Sequence, residues 1–157
     1  MSKLVRKLQE LFRRDDGTQM IEFAIVFPVL LLLFAGTAEL GRLFYTYTSL
    51  AKATRGGARY LSLATDVNFS TNAGKNIVMC GNASGCGGAG QPAVIVPNLN
   101  ANNIVVTPPV NGVGVKYVTV AITGYQYQPL VFNLNAMTGG NFNLTLTPST
   151  TMRYMRY

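Results

Sequence analysis

From Met20 to Leu40 the chain reads MIEFAIVFPVLLLLFAGTAEL, a run whose ionisable side chains are Glu22 near its start and Glu39 near its end. As a helix rising about 1.5 Å per residue, about 21 residues span roughly the 30 Å hydrocarbon core of a bilayer. Leu30 to Phe34 is apolar on every side, and no second helix is expected to cover it. The run therefore predicts one transmembrane helix over residues 18–40, not the core helix of a soluble domain. Ahead of it lie Lys3, Arg6, Lys7, Arg13 and Arg14, and basic residues are sparser per residue after it. By the positive-inside rule the N-terminus is expected in the cytoplasm and the bulk of the chain outside.

Charge also limits the chemistry. The 157 residues are 48% hydrophobic and 12% charged, with a net charge of +7 and no histidine. Every carboxylate side chain, in Glu10, Asp15, Asp16, Glu22, Glu39 and Asp66, falls before Val67. Histidine-based triads, the usual zinc and iron ligand sets, and paired-carboxylate glycosidase chemistry in the C-terminal region are excluded. No catalytic residue, metal or cofactor is expected, and the chain is read as a non-enzyme.

Two residues are unusual for a plain anchor. A carboxylate at the centre of a membrane helix costs about 3 kcal/mol on insertion scales and less near the interface, so Glu22 calls for a partner or a task. Pro28 removes one helix hydrogen bond about two turns later, which predicts a kink or a local loosening. Glu39, at the outer boundary, is read as a solvated or interfacial charge.

Three fates of the N-terminus are compatible with these residues. A signal peptide has a passable cleavage site at Gly36-Thr37-Ala38 before Glu39, but the apolar run is long for one and its helical face continues into Leu40, Leu43, Phe44 and Tyr47. An uncleaved signal anchor is the second. The third rests on Arg13-Arg14-Asp15-Asp16-Gly17-Thr18-Gln19-Met20-Ile21-Glu22-Phe23, a basic leader that ends in glycine and places a glutamate at the head of a hydrophobic helix. This resembles a type IV prepilin leader, which implies cutting by a prepilin peptidase between Gly17 and Thr18, with Glu22 as the fifth residue of the processed chain. Buried among copies of the same helix, such a carboxylate can pair with a neighbour's new amino group and favour assembly in register. Glu22, Phe23 and Pro28 are the candidate assembly residues.

Further along, Phe34-Ala35-Gly36-Thr37-Ala38-Glu39-Leu40-Gly41-Arg42 and Ala51-Lys52-Ala53-Thr54-Arg55-Gly56-Gly57-Ala58-Arg59-Tyr60 are similar to the TadE-like family. That family carries an acidic-apolar-Gly-Arg element followed by an Ala-Arg-x-Gly-Ala-Arg stretch. Thr54 stands where the family often has alanine and Gly56 where it often has glutamate. The motif residues are Glu39, Gly41, Arg42, Arg55, Gly57, Ala58 and Arg59, and the likeness covers roughly residues 17–63. It implies a pilin-like subunit of the tight-adherence (Flp) pilus and secretion machinery. The partners so implied are a prepilin peptidase, other pilin-like subunits and the assembly platform, at a bacterial inner membrane with the C-terminal domain periplasmic or extracellular. That domain is large beside the small major pilins of such systems, which favours a minor or pseudopilin role over a major filament subunit.

Leu40, Leu43, Phe44, Tyr47, Leu50, Ala51, Thr54, Ala58 and Leu61 recur at three- and four-residue steps, so the helix is expected to run on as a stalk over residues 41–65. Arg42, Arg55 and Arg59 are read as solvated. The pair Gly56-Gly57 weakens a helix by roughly 1 kcal/mol per glycine relative to alanine, which predicts close packing or a bend.

Residues 66–157 read as an antiparallel β domain. Its β-branched runs are Ala93–Val96, Ile104–Thr107, Val113–Thr123, Tyr125–Phe132, Phe142–Thr147 and Thr150–Tyr154, divided by Asn, Gly and Pro. Alternation puts Val118, Val120 and Ile122 on an inner face. Cys80 and Cys86 enclose a flexible tract and are expected to form a disulfide outside the cytoplasm. The Gly-rich tract that follows, to Gly90, lacks a phosphate-loop ending and reads as a surface loop. Exposed Tyr125 and Tyr127 among many Asn and Thr side chains would suit a surface ligand such as a sugar. Arg153 and Arg156 among the last aromatics are too few for a nucleic-acid strip, so a last strand is expected and no nucleic-acid partner. The whole is an α+β chain, a long N-terminal transmembrane and stalk helix followed by an antiparallel β domain, as in type IV pilins. The alternative from another class is a membrane-anchored adhesin or glycan-binding module that does not polymerise.

Overall fold

The computed structural model describes residues 16–109, 115–130 and 144–155. The basic leader up to Asp15, the ends of three expected strands (Val113 to Gly114, Val131 to Phe132, and Phe142 to Asn143) and the terminal Arg156 and Tyr157 lie outside the described residues. The chain divides into two compact units, Met1–Leu40 and Gly41–Tyr157. Helix α1, Asp16–Leu63, contributes to both.

In the first unit the helix continues through Pro28 without interruption. The large apolar side chains from Met20 to Phe34 are all exposed, by 44% at Val26 and Phe27 and up to 73% at Met20 and Phe34. Among the described residues this is one helix long and apolar enough to cross a membrane, with a mean hydropathy of 2.2 over its most apolar stretch.

In the second unit, the part of α1 from Gly41 onward packs on α2 (Val67–Cys80). Asp66 precedes α2 as its N-cap, its carbonyl accepting the first intrahelical bond from the Ser70 amide at 3.1 Å. Gly81 follows Cys80 with φ +76° and donates to the Ile77 carbonyl at 2.8 Å, a left-handed stop that a residue with a Cβ resists. Helix α2 falls inside the region read as a β domain; its Asn, Ser, Thr and Gly are weak helix formers, and packing sustains it. The two helices exchange small for large. A Cβ on Gly57 would overlap Val78, and a Cβ on Gly74 would lie 2.8–2.9 Å from the Leu61 side chain. Of the two outcomes expected of Gly56-Gly57, the structure shows close packing.

The sheet portion follows a short 3-10 turn, Ala101–Asn103. Strands β1 (Ile104–Thr107), β2 (Tyr117–Ile122) and β5 (Ser149–Arg153) form an antiparallel sheet in the order β1-β2-β5. Strands β3 (Tyr125–Tyr127) and β4 (Leu144–Leu146) form a separate antiparallel pair. Val118, Val120 and Ile122 are fully buried, as their alternation predicts. They share one core with Leu50, Ala58 and Leu61 of α1, Val78 of α2, Ile104, and Leu99 of the preceding loop.

Ala93–Val96 forms no strand. Pro92 and Pro97 flank it and interrupt backbone pairing, and the Ile95 amide bonds instead to the Met79 carbonyl at the end of α2, 2.7 Å away. β3 stops short of Pro129 for the same reason. Cys80 and Cys86 are joined in a disulfide with Cα atoms 5.8 Å apart, which ties the end of α2 to the Gly-rich loop.

Candidate functional site

The residues singled out by the sequence fall in three places along α1. At its start, Gly17 and Thr18 lie in the first helical turn. One turn on, Glu22 is exposed on the helix surface, and among the described residues it has no hydrogen-bonding or ion-pairing partner. The Phe23 ring stacks on that of Phe27, the residue just before Pro28, with centroids 5.3 Å apart. This end of the helix thus offers a continuous apolar surface carrying one carboxylate, an arrangement that water and a lipid interior both serve poorly.

The second place runs along the chain from Glu39, in the first unit, to Gly41 and Arg42, in the second. Glu39 is half-buried, and a Cβ on Gly41 would meet nothing within 4 Å. Arg42 holds its guanidinium 5.8 Å from the centre of the Tyr127 ring, within cation-π range. Its carbonyl accepts from the Thr46 hydroxyl at 2.9 Å. Around this contact Thr46, Val96, Pro97, Tyr125 and Tyr127 enclose a cleft of about 70 Å³. The Tyr125 hydroxyl donates to the Pro97 carbonyl at 3.1 Å. Burial raises the Tyr125 phenol above its ordinary value, and the nearby Arg42 charge offsets part of that rise. Arg42 was read as a solvated charge; its side chain is exposed, yet it lies against an aromatic ring. Tyr125 and Tyr127, expected to be exposed, are both buried, because the alternation of Tyr-Gln-Tyr along the strand turns the two rings to one inner face; Tyr127 is therefore a partner of Arg42 that sequence reading missed.

The third place is the Arg55 to Arg59 stretch. Arg55 and Arg59 are exposed, whereas Ala58 is fully buried and Gly57 leaves no room for a Cβ beside Val78 of α2. These four residues therefore do two jobs: Gly57 and Ala58 admit α2 and the sheet, and the arginines face outward. Gly74 and Val78, which complete this packing, had no motif to mark them. Neighbouring Thr54 is fully buried, and its hydroxyl bonds both to the Ala51 carbonyl at 2.9 Å and to the Thr150 hydroxyl of β5 at 3.0 Å.

Two further clefts open on the second unit. One of about 330 Å³ lies among Thr65, Asp66, Pro108, Pro109, Lys116 and Tyr154. The other, about 220 Å³, is bordered by Asn98, Asn100, Asn103, Gln126 and Gln128 beside Tyr125. Asn98 donates to the Gln128 side chain at 3.3 Å and Asn103 to the Thr123 carbonyl at 3.2 Å, so part of this amide rim already bonds within the protein.

Fold and site together define an α+β protein made of an exposed, membrane-length apolar helix and a small disulfide-bonded unit that carries two sheets. Within it, residues 17–59 match the model of the TadE family, described as TadE-like protein, and this stretch of the chain is TadE-like. The match takes in all three places on α1 and leaves α2 and the sheets outside. No curated protein and no solved structure matches the chain.

Proposed function

We propose that this chain is a pilin-like structural subunit, of the minor or pseudopilin kind, that works in the tight-adherence pilus machinery by assembly and not by catalysis. It inserts with its basic leader in the cytoplasm, is cut after Gly17 by a prepilin peptidase, and enters or primes the filament through α1. The observation that carries this reading is the exposed apolar surface from Met20 to Phe34 bearing Glu22, inside the TadE-like stretch. As a lone membrane helix it bears the insertion cost of a carboxylate, whereas beside another copy Glu22 gains the free amino group of a processed Thr18 as counter-ion. The assembled state is thereby favoured, and its register is set by one charge pair.

Glu22→Ala tests this. Membrane insertion is expected to be unchanged in fractionation, and pili on the cell surface are expected to be lost or strongly reduced. Normal pili in the variant would remove the carboxylate from the mechanism.

A second reading, a membrane-anchored adhesin that does not polymerise, draws on the amide-bordered cleft beside Tyr125. Deleting residues 66–157 separates the two: loss of surface binding with intact pili supports the adhesin, and loss of pili supports the subunit.

A further inference from the structure

Charged side chains are unevenly divided along this chain. Residues 1–40 balance five basic against five acidic side chains, whereas residues 41–157 carry eight Lys and Arg against one carboxylate, Asp66. The whole net charge of +7 therefore belongs to the second part of the chain. Three of its cations, Lys52, Arg55 and Arg59, lie on α1 within the second unit, spaced by three and four residues. Like charges at these spacings are neighbours on a helix and weaken it, and the exposed Gly56 among them weakens it further. Among the described residues, none of these three side chains is held in an ion pair. The unit does not offset this cost within itself.

The same spacing extends in both directions. Tyr45, Thr48, Lys52, Arg55, Arg59 and Leu63 follow one another at steps of three and four and are all exposed, so they form one face of the helix. The opposite face, with Leu50, Thr54, Ala58 and Leu61, is buried. At about 1.5 Å per residue the exposed face is about 27 Å long. Its cations lie at the centre, and its ends carry Tyr45, 74% exposed, and Leu63, 54% exposed.

Alternate steps of three and four are the spacing at which one helix meets another along a seam. A partner helix with carboxylates at the same steps brings each of them opposite a cation, and apolar residues beyond them meet Tyr45 and Leu63. Single-stranded nucleic acid is held differently, by cations interleaved with rings on which bases stack, and no aromatic residue stands between Lys52 and Arg59. A second copy does not fit either. Its residues 41–157 repeat the positive charge, and no two carboxylates of this chain stand three or four residues apart. Like charges brought together across an interface repel.

We propose that this face of α1 docks a helix of a different protein, one that carries Asp or Glu at steps of three and four between apolar residues. The cations set partner choice, favouring an acidic helix and turning away a second copy of this unit. The contact concerns residues 45–63 alone and requires neither the cut after Gly17 nor entry into a filament.

Photocrosslinking of the full chain in native cells tests this. Benzoylphenylalanine is placed singly at Thr48 and at Leu63, which leaves the three cations intact, and at Tyr117, an exposed position on β2. The expected result is one adduct shared by positions 48 and 63 and absent at 117. Its partner peptide, sequenced by mass spectrometry, is expected to belong to another protein and to carry the acidic three-four spacing. Combining Lys52→Glu, Arg55→Glu and Arg59→Glu is expected to reduce that adduct several-fold, and changing the partner's carboxylates to Lys to restore it. The three side chains are exposed, so the variant should keep its fold, which an intact disulfide and an unchanged cellular level verify. No adduct at 48 and 63, an adduct to a second copy or to nucleic acid, or an adduct that survives the charge reversal would each overturn the proposal.

Discussion

At Gly57 and Gly74 an α-helix meets a partner with no room for a methyl group, and the neighbours concerned, Val78 and Leu61, are fully buried. Gly57→Ala and Gly74→Ala are each expected to destabilise the C-terminal unit by about 1–3 kcal/mol, the usual cost of overpacking, despite a helix-propensity gain of up to about 1 kcal/mol. Gly41→Ala has open space around its Cβ and should be neutral or slightly stabilising. Thermal unfolding of the detergent-solubilised chain distinguishes these outcomes, and a Gly41→Ala protein that is stable but fails to assemble would give that glycine a role at an interface. Tyr125 supplies a pH signature. Its phenol is raised by burial, so the native state holds that proton more tightly than the unfolded chain. The associated stability is complete below the ordinary tyrosine value of about 10 and is lost as the pH rises through the native value. Between pH 9 and pH 11, on the order of the range where tyrosines titrate, wild type should lose more stability than Tyr125→Phe, and parallel curves would contradict this. Among individual residues, Val118, Val120 and Ile122 were legible because a strand alternates faces. Tyr127 as the partner of Arg42 was not, since a cation-π contact between distant segments leaves no local pattern.

Elements differ in how openly the sequence declares them. Helix α1 combines a membrane-length apolar run with a stripe continuing past it, and β1 is a clean β-branched run before Pro108; both are where pattern alone puts them. Helix α2 is different. Val67, Thr71, Gly74 and Val78 follow a helical face, and Asp66 is a good N-cap, but the surrounding Asn, Ser, Thr and Gly carry the composition of loops. Its stability comes from the glycine-mediated contact with α1 and from the disulfide at its end, both tertiary. Ala93–Val96 is the converse, a β-branched run with no strand to pair with and a proline on each side. The disulfide closes a loop of six-residue separation, worth about 2 kcal/mol in the chain-entropy model. Cys80→Ser with Cys86→Ser should therefore lower the stability of the C-terminal unit by about that amount without affecting membrane insertion. Equal unfolding midpoints in the presence and absence of reductant would show that α2 holds without it.

For the molecule as a whole, the chain divides into two units with different surfaces. The first unit exposes an apolar helix with Glu22 near its start and Glu39 near its end, a surface suited to a bilayer or to other helices. The second is closed by a core of its own, into which Gly57 and Ala58 of the TadE-like stretch are built. Such a division suits a subunit stored in a membrane and then drawn into a filament, since the C-terminal unit need not refold when the surroundings of the apolar helix change from lipid to protein. The α+β layout, the long apolar helix and the TadE-like stretch were legible because each depends on local pattern; the split into two small sheets depends on pairing between distant segments and did not show. In the proposed function, a cut after Gly17 would convert a membrane anchor into an assembling subunit. Its most direct test is the N-terminal sequence and intact mass of the protein from native membranes, in cells with and without their prepilin peptidase. The account predicts a chain that starts at Thr18 when the peptidase is present and keeps its leader when it is absent. A chain starting at Met1 or at Glu39 in both would contradict it, the first marking a permanent anchor and the second a released protein.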